Sequence, residues 1–149
     1  MSRVSQDQIV PILQDYQDRL AEAERQGERR FEQVFAAPPP GVCVHEFDMG
    51  AIIRRVNSEG LRVLAYEAAQ LVGRKVWEVV VMEDVSRVSV QKKLAGEKDI
   101  KPFVRTFRRG DGRGMVMLLV DRRLLDARGE ARGIRTAMMS LDEEEAASR

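Results

Sequence analysis

Cysteine and histidine each occur once in the 149 residues, as Cys43 and His45. A lone thiol excludes an intramolecular disulfide framework, and one thiol beside one imidazole excludes Cys clusters and multi-His metal sites. An excess of one charge is also missing, because 25 basic side chains face 24 acidic ones. Binding nucleic acid through a broad face requires clustered surplus Lys and Arg, so the balance argues against that partner. No apolar run reaches the roughly 18–20 residues needed to span a bilayer, so no membrane role is expected. The first residues lack the basic-then-apolar pattern of a signal peptide. A soluble, cytoplasmic protein is expected. Internal repeats and low-complexity tracts are absent.

What is present is enough for one packed domain with an appendage, since 44% of residues are apolar and 33% charged. Residues 5–35 read as one long helix. Ile9, Leu13, Tyr16, Leu20, Ala23, Gly27, Arg30 and Val34 recur in steps of four and three, which places them on one seam, as in a coiled coil. Two uses fit such a seam: pairing with a second chain, or lying on the chain's own domain. The expected division is a pairing helix over 1–36, a folded domain over 37–142 and the start of a linker over 143–149. Pro38-Pro39-Pro40-Gly41 marks the first boundary, because consecutive prolines cannot continue a helix.

Beyond it the period changes to two. Residues 42–47 and 52–56 read as a hairpin around Asp48-Met49-Gly50. Asn57 or Ser58 suits a helix N-cap. Short helical pieces follow over 58–82, and a further helix over 83–96 carries Val85, Val88, Val90 and Leu94 as its expected apolar contacts. Three strands, 102–109, 115–125 and 132–140, are joined by Gly-rich hairpins at 110–114 and 126–130. Met115–Val120 is an unbroken apolar run. An antiparallel strand with one wet face would alternate, so this run implies cover on both faces of the sheet. The short helices can supply one cover, and the N-terminal helix or a second copy of the chain the other.

In order and spacing, several segments together carry a family resemblance. Gly41-Val42-Cys43-Val44 opens the first strand, and Val56-Asn57-Ser58-Glu59-Gly60 closes the second and caps a small helix. Leu64-Ala65-Tyr66-Glu67-Ala68-Ala69-Gln70-Leu71-Val72-Gly73, Glu83-Asp84, Arg109-Gly110-Asp111-Gly112 and Asp126-Ala127-Arg128-Gly129 follow, then Gly133-Ile134 and Met139-Ser140-Leu141-Asp142. Over about residues 31–142 this pattern resembles the PAS domain family. Ala65 stands where the family usually has Gly.

The resemblance implies an α+β fold: a five-stranded antiparallel sheet in the order 2-1-5-4-3, short helices on one face, and a long N-terminal helix. It implies a sensory module that forms a homodimer and relays a signal to a downstream effector such as a histidine kinase, phosphatase or cyclase. The expected dimerisation residues are Ile9, Leu13, Tyr16, Leu20, Val34, Val116, Leu118 and Val120. Family members that bind haem use an axial His on the helix read here at 83–96, which has none. Members that form a covalent flavin adduct use an Asn-Cys-Arg-Phe segment, which is also missing. Cys43 has no Lys or Arg beside it in sequence to lower its pKa, so a buried structural thiol is expected. His45 is expected to be a partly exposed strand residue, because one neutral imidazole alone makes a poor site.

No metal and no cofactor is predicted. An alternative role is a receptor for a small apolar ligand in a cavity walled by Val44, Ile53, Leu64, Val76, Trp77, Phe107, Met117, Leu119 and Met138, although side chains packed together could fill the same space. An enzyme is not expected. Gly110-Asp111-Gly112-Arg113-Gly114 joins two strands, whereas a phosphate cradle joins a strand to a helix. The carboxylates at 142–145 sit near a chain end, where they are usually solvated.

Overall fold

The computed structural model describes residues 5–97 and 99–142. The proposed linker at 143–149 lies outside them. The chain begins with two helices, α1 (Gln6–Gln26) and α2 (Glu28–Phe35), where the seam predicted one. Gly27, with φ of 128°, breaks the rod, and neither Gly27 nor Arg30 is buried. Seven residues further on, the period-two segments begin. Strands β1 (Cys43–Asp48), β2 (Ile53–Val56), β3 (Phe103–Arg108), β4 (Gly114–Leu125) and β5 (Ala131–Ser140) form one antiparallel sheet in the order β2-β1-β5-β4-β3. Between β2 and β3 come α3 (Ser58–Leu64), α4 (Ala68–Leu71), a 3₁₀ turn at Val76–Val79 and α5 (Glu83–Leu94).

Asn57 shows how a single side chain fixes the first crossover. Its Oδ1 accepts from Gly60 N–H at 2.9 Å, which caps α3, and from Val44 N–H at 2.9 Å, while its Nδ2 donates to Val42 O at 3.1 Å. Gly110 fixes the other end of α3. Its N–H donates to Leu64 O at 2.8 Å, and a Cβ there would lie 1.8 Å from Ala65 O. Ala65 ends α3 in the left-handed region at φ 60°, where a β-carbon is disfavoured.

Period-two alternation sorts the strands between two cores. Toward α3, α4 and α5 lie Cys43, Phe107, Met115, Met117, Leu119 and Met138. Away from them, Val42, Val44, Leu118, Val120, Ala137 and Leu141 form the other core with Ile9, Leu13, Tyr16, Leu20 and Ala23 of α1 and Phe31, Val34 and Phe35 of α2. The continuous run in β4 is therefore covered on both sides, and the outer cover comes from the same chain. The seam that suggested a coiled coil is occupied by this chain's own sheet.

Two buried polar groups pin α1 in place. Tyr16 Oη donates to Val34 O, and loss of hydration pushes its pKa up to about 12, so it stays a donor. Gln17 Nε2 donates to Val120 O at 3.0 Å and Arg135 O at 2.8 Å.

Leu13 is fully buried at the centre of the outer core. Truncation to Leu13→Ala is expected to lower unfolding free energy by about 3 kcal/mol, the usual cost of a cavity at such a site. Urea unfolding of both proteins measures it. A change below about 1 kcal/mol would mean that α1 is not part of the folded unit.

Candidate functional site

Helix α5 does not face the sheet as its valines suggested. Val85 and Val88 are 51% and 47% exposed, while Ser86, Ser89 and Lys93 are buried. Residues 86, 89 and 93 share one helix face by their spacing of three and four. Leaving the two valines in water forgoes about 1.5 kcal/mol or more for each, so something must hold the opposite face inward. That something is the charge of Lys93. Its Nζ lies 3.0 Å from Asp121 Oδ2 on β4 and 3.4 Å from the centre of the Phe103 ring. Breaking such a dry pair strands a charge, which makes rotation of α5 costly. Val90 and Leu94 remain partly buried against the inner core, as expected.

Asp121 is held from both sides. Thr136 Oγ1 on β5 donates to its Oδ1 at 2.6 Å. Arg105 on β3 donates from Nε to Ser86 Oγ at 3.2 Å, and its guanidinium lies 4.9 Å from the Phe103 ring centre. Arg105 makes no ion pair with a carboxylate among the described residues.

His45 completes the group from β1, with only 5% of its surface exposed. Its ring lies 6.2 Å from Phe47 and 6.4 Å from Phe107, centre to centre, and its nitrogens make no hydrogen bond among the described residues. Burial lowers its pKa from 6.5 to about 4, against the opposing pull of the Asp121 and Glu46 carboxylates. The expectation of a partly exposed histidine is corrected: alternation turns residue 45 inward with Cys43 and Phe47. These side chains border a void of ≈ 30 Å³, room for about two waters.

The expected cavity walls divide. Val76, Trp77, Phe107 and Leu119 border this void. Ile53, Leu64 and Met138 border a smaller gap of ≈ 10 Å³ beside Cys43. Met117 is packed in the inner core. Val44 borders that smaller gap as well, although its side chain packs in the outer core because it alternates with the inward-facing Cys43 and His45. Cys43 is buried, with Sγ 3.8 Å from Gly41 O.

All eight residues expected at a pairing surface do meet one another, but within one chain: Ile9, Leu13, Tyr16, Leu20 and Val34 pack on Leu118 and Val120, with Val116 at the margin. Sequence reasoning missed Ser86, Ser89, Lys93, Arg105, Asp121 and Thr136. A signal was available in Asp121, a carboxylate directly after the apolar run and inside a strand that continues to Leu125. Among the described residues, no three His, Cys, Asp or Glu side chains are grouped to hold a metal ion.

The polar residues have outward counterparts in register. His45 and Asp121 both pair with Thr136 across the sheet, and the next residues in line, Glu46 and Arg122, both pair with Arg135. On the outer face Arg135 Nε donates to Glu46 Oε2 at 2.7 Å and its Nη2 to Glu24 Oε2 of α1 at 2.9 Å. Arg122 Nη1 donates to Asp18 Oδ1 of α1 at 2.7 Å. A polar band thus crosses β1, β5 and β4, touching the cavity on one side and α1 on the other.

Short helices that close one face of a 2-1-5-4-3 antiparallel sheet over a small internal site define a sensor-type α+β module. The chain belongs to the PAS fold family, whose model matches residues 39–146. It resembles the PAS domain of an HTR-like protein from Haloarcula marismortui at 25% identity and a TM-score of 0.63, covering 85% of this chain and 98% of that one. A PAS domain from Colwellia psychrerythraea superposes with a TM-score of 0.66 at 12% identity, over 77% of this chain and 97% of that one. A light-oxygen-voltage domain studied with a flavin analogue gives a TM-score of 0.59 at 17% identity, over 81% and 90% of the two chains. The last two likenesses show a shared fold alone. No curated protein matches the chain.

A histidine held neutral by burial makes stability depend on pH. With a folded pKa near 4 against 6.5, the unfolded chain binds the proton more readily, so stability falls as pH drops from about 6.5 toward 4. The contribution is on the order of 3 kcal/mol across that window. Urea midpoints between pH 7 and pH 4.5 are expected to decline less steeply for His45→Gln than for the unaltered protein. Parallel declines would show that His45 does not titrate in this way.

Proposed function

We propose that the chain is a non-catalytic, cytoplasmic sensory and relay module, in which a change beneath α5 passes through the sheet to α1 and onward to a signalling effector. The observation that carries this reading is the in-register polar band. His45, Asp121 and Thr136 reach the cavity from the same strands, one residue away from Glu46, Arg122 and Arg135; Arg122 and Arg135 reach α1 directly, and Glu46 is tied to it through Arg135. A shift in either group strains its neighbour through one peptide unit. Whatever binds one arrangement of α5 more tightly then biases the docking of α1 by the same free energy. The effector is of the kinase, phosphatase, cyclase or similar class that PAS modules regulate.

The coupling is reciprocal, so it can be read in reverse. Glu24→Gln loosens Arg135 from the exposed side of α1 and is expected to raise amide hydrogen exchange severalfold in α5. Glu22→Gln serves as the control, because among the described residues Glu22 pairs only with Arg25 and Gln26 on its own helix. Equal exchange in α5 for the two variants would end the relay reading.

Homodimerisation belongs to the same proposal. Two chains that exchange α1 and α2 across the joint at 36–42 would rebuild every seam contact on the partner's sheet, so pairing needs no new apolar surface. Light scattering on the intact chain at high concentration is expected to return twice the chain mass, and a monomer there would remove pairing from the reading.

A further inference from the structure

We infer that the space beneath α5 is a binding site for a small carboxylate, a short-chain acid whose anionic end meets Arg105 and Lys93 and whose apolar end meets the aromatic wall. The inference rests on the reading of this space as the input site and names its ligand class. The side chains bordering the void carry two positive charges, Lys93 and Arg105, against one negative, Asp121. Asp121 is already satisfied at both oxygens, by Thr136 and Lys93. Arg105 spends its Nε on Ser86 and one terminal nitrogen on Val104 O, and faces no carboxylate among the described residues. Its planar fork is suited to a carboxylate, and the partly closed site strengthens that attraction. His45 is 5% exposed and borders the void with ring nitrogens that have no partner among the described residues.

An apolar guest would leave the remaining terminal nitrogen of Arg105 and the ring nitrogens of His45 unanswered, and a cation would meet a site already positive. The expectation of an apolar ligand followed from expected walls that were all apolar or aromatic, with no residue of α5 among them. With Ser86, Ser89 and Lys93 there instead, the complement is an anion. Size sets the other limit. A void of ≈ 30 Å³ admits a two- or three-carbon acid only with a small outward give of α5, and a long chain or a ring system only with a large one.

Trp77 is the only tryptophan and borders the void, so its emission reports on the site directly. The full chain is titrated at constant ionic strength with acetate and propionate, and with the neutral amides acetamide and propionamide. The acids are expected to change Trp77 emission saturably, and the amides are not. Arg105→Gln should weaken propionate by about tenfold, and Arg105→Lys should recover part of that loss. Asp121→Asn removes the one carboxylate that borders the void among the described residues and should tighten binding.

Equal response to acids and amides, no saturable response to either acid, or undiminished affinity in Arg105→Gln overturns the inference. Hydrogen exchange in α1 with and without propionate separates this result from the relay. Binding that leaves α1 unaltered keeps the carboxylate site and sinks the relay. Absence of binding sinks the carboxylate site, while the Glu24→Gln comparison still tests the relay.

Discussion

The fold depends on a sheet that cannot tolerate water on either face. In β4, Met115, Met117 and Leu119 point one way and Val116, Leu118 and Val120 the other, and nearly all are buried. Each fully buried side chain of this size contributes about 1.5–3 kcal/mol, so an uncovered face would cost more than the usual stability of a whole domain. Helices α3 to α5 cover the inner face because they are strung between β2 and β3. The outer face has no such connection. Its cover must come from outside the strand-and-helix order, and α1, with its seam of Ile9, Leu13, Tyr16 and Leu20, provides it. This explains why the family match begins only at residue 39 although the folded unit begins at the N-terminal helix.

Between the two greasy layers runs a polar band whose charges are expensive to bury and are therefore paired. Arg135 has none of its surface exposed, and it is neutralised by Glu46 and Glu24 while its guanidinium lies 4.9 Å from the Phe31 ring centre. Lys93 and Asp121 neutralise each other on the opposite face. Buried pairs of this kind add little net stability compared with well-packed apolar residues, yet they tolerate only a narrow range of geometries. That property explains the orientation of α5, whose exposed valines would otherwise be an error in amphipathic design.

Much of this could be read along the chain. The strands lie within one or two residues of their expected limits, Asn57 caps α3, and the glycines at 112 and 129 turn the hairpins with φ of 87° and 80°. The facing of β4 was also legible, since a strict alternation leaves only one choice once Met117 and Leu119 are taken as inward. The inner site was not legible. Lys93, Arg105, Asp121 and Thr136 come from three strands and a helix up to 43 residues apart in numbering, and no short motif links them. His45 looked ordinary because an isolated imidazole carries no information about the carboxylate that approaches it from β4.

Local periodicity by itself determined the strands, their order and which residues of a strand share a face, but not which face looks inward, because only the sharing follows from backbone geometry repeated every two residues. Which helix face turns inward was left to the tertiary structure wherever a helix carries two usable stripes, as α5 does with its valines and its Ser-Ser-Lys row. The tertiary structure likewise decided that α1 serves its own sheet, where the seam alone fitted a second helix equally well. The physical reason is the same in both cases. An apolar or charged stripe states what a surface needs, and only the distance to a complementary surface, here Asp121 for Lys93 and the outer sheet face for Leu13, selects among the partners that could satisfy it.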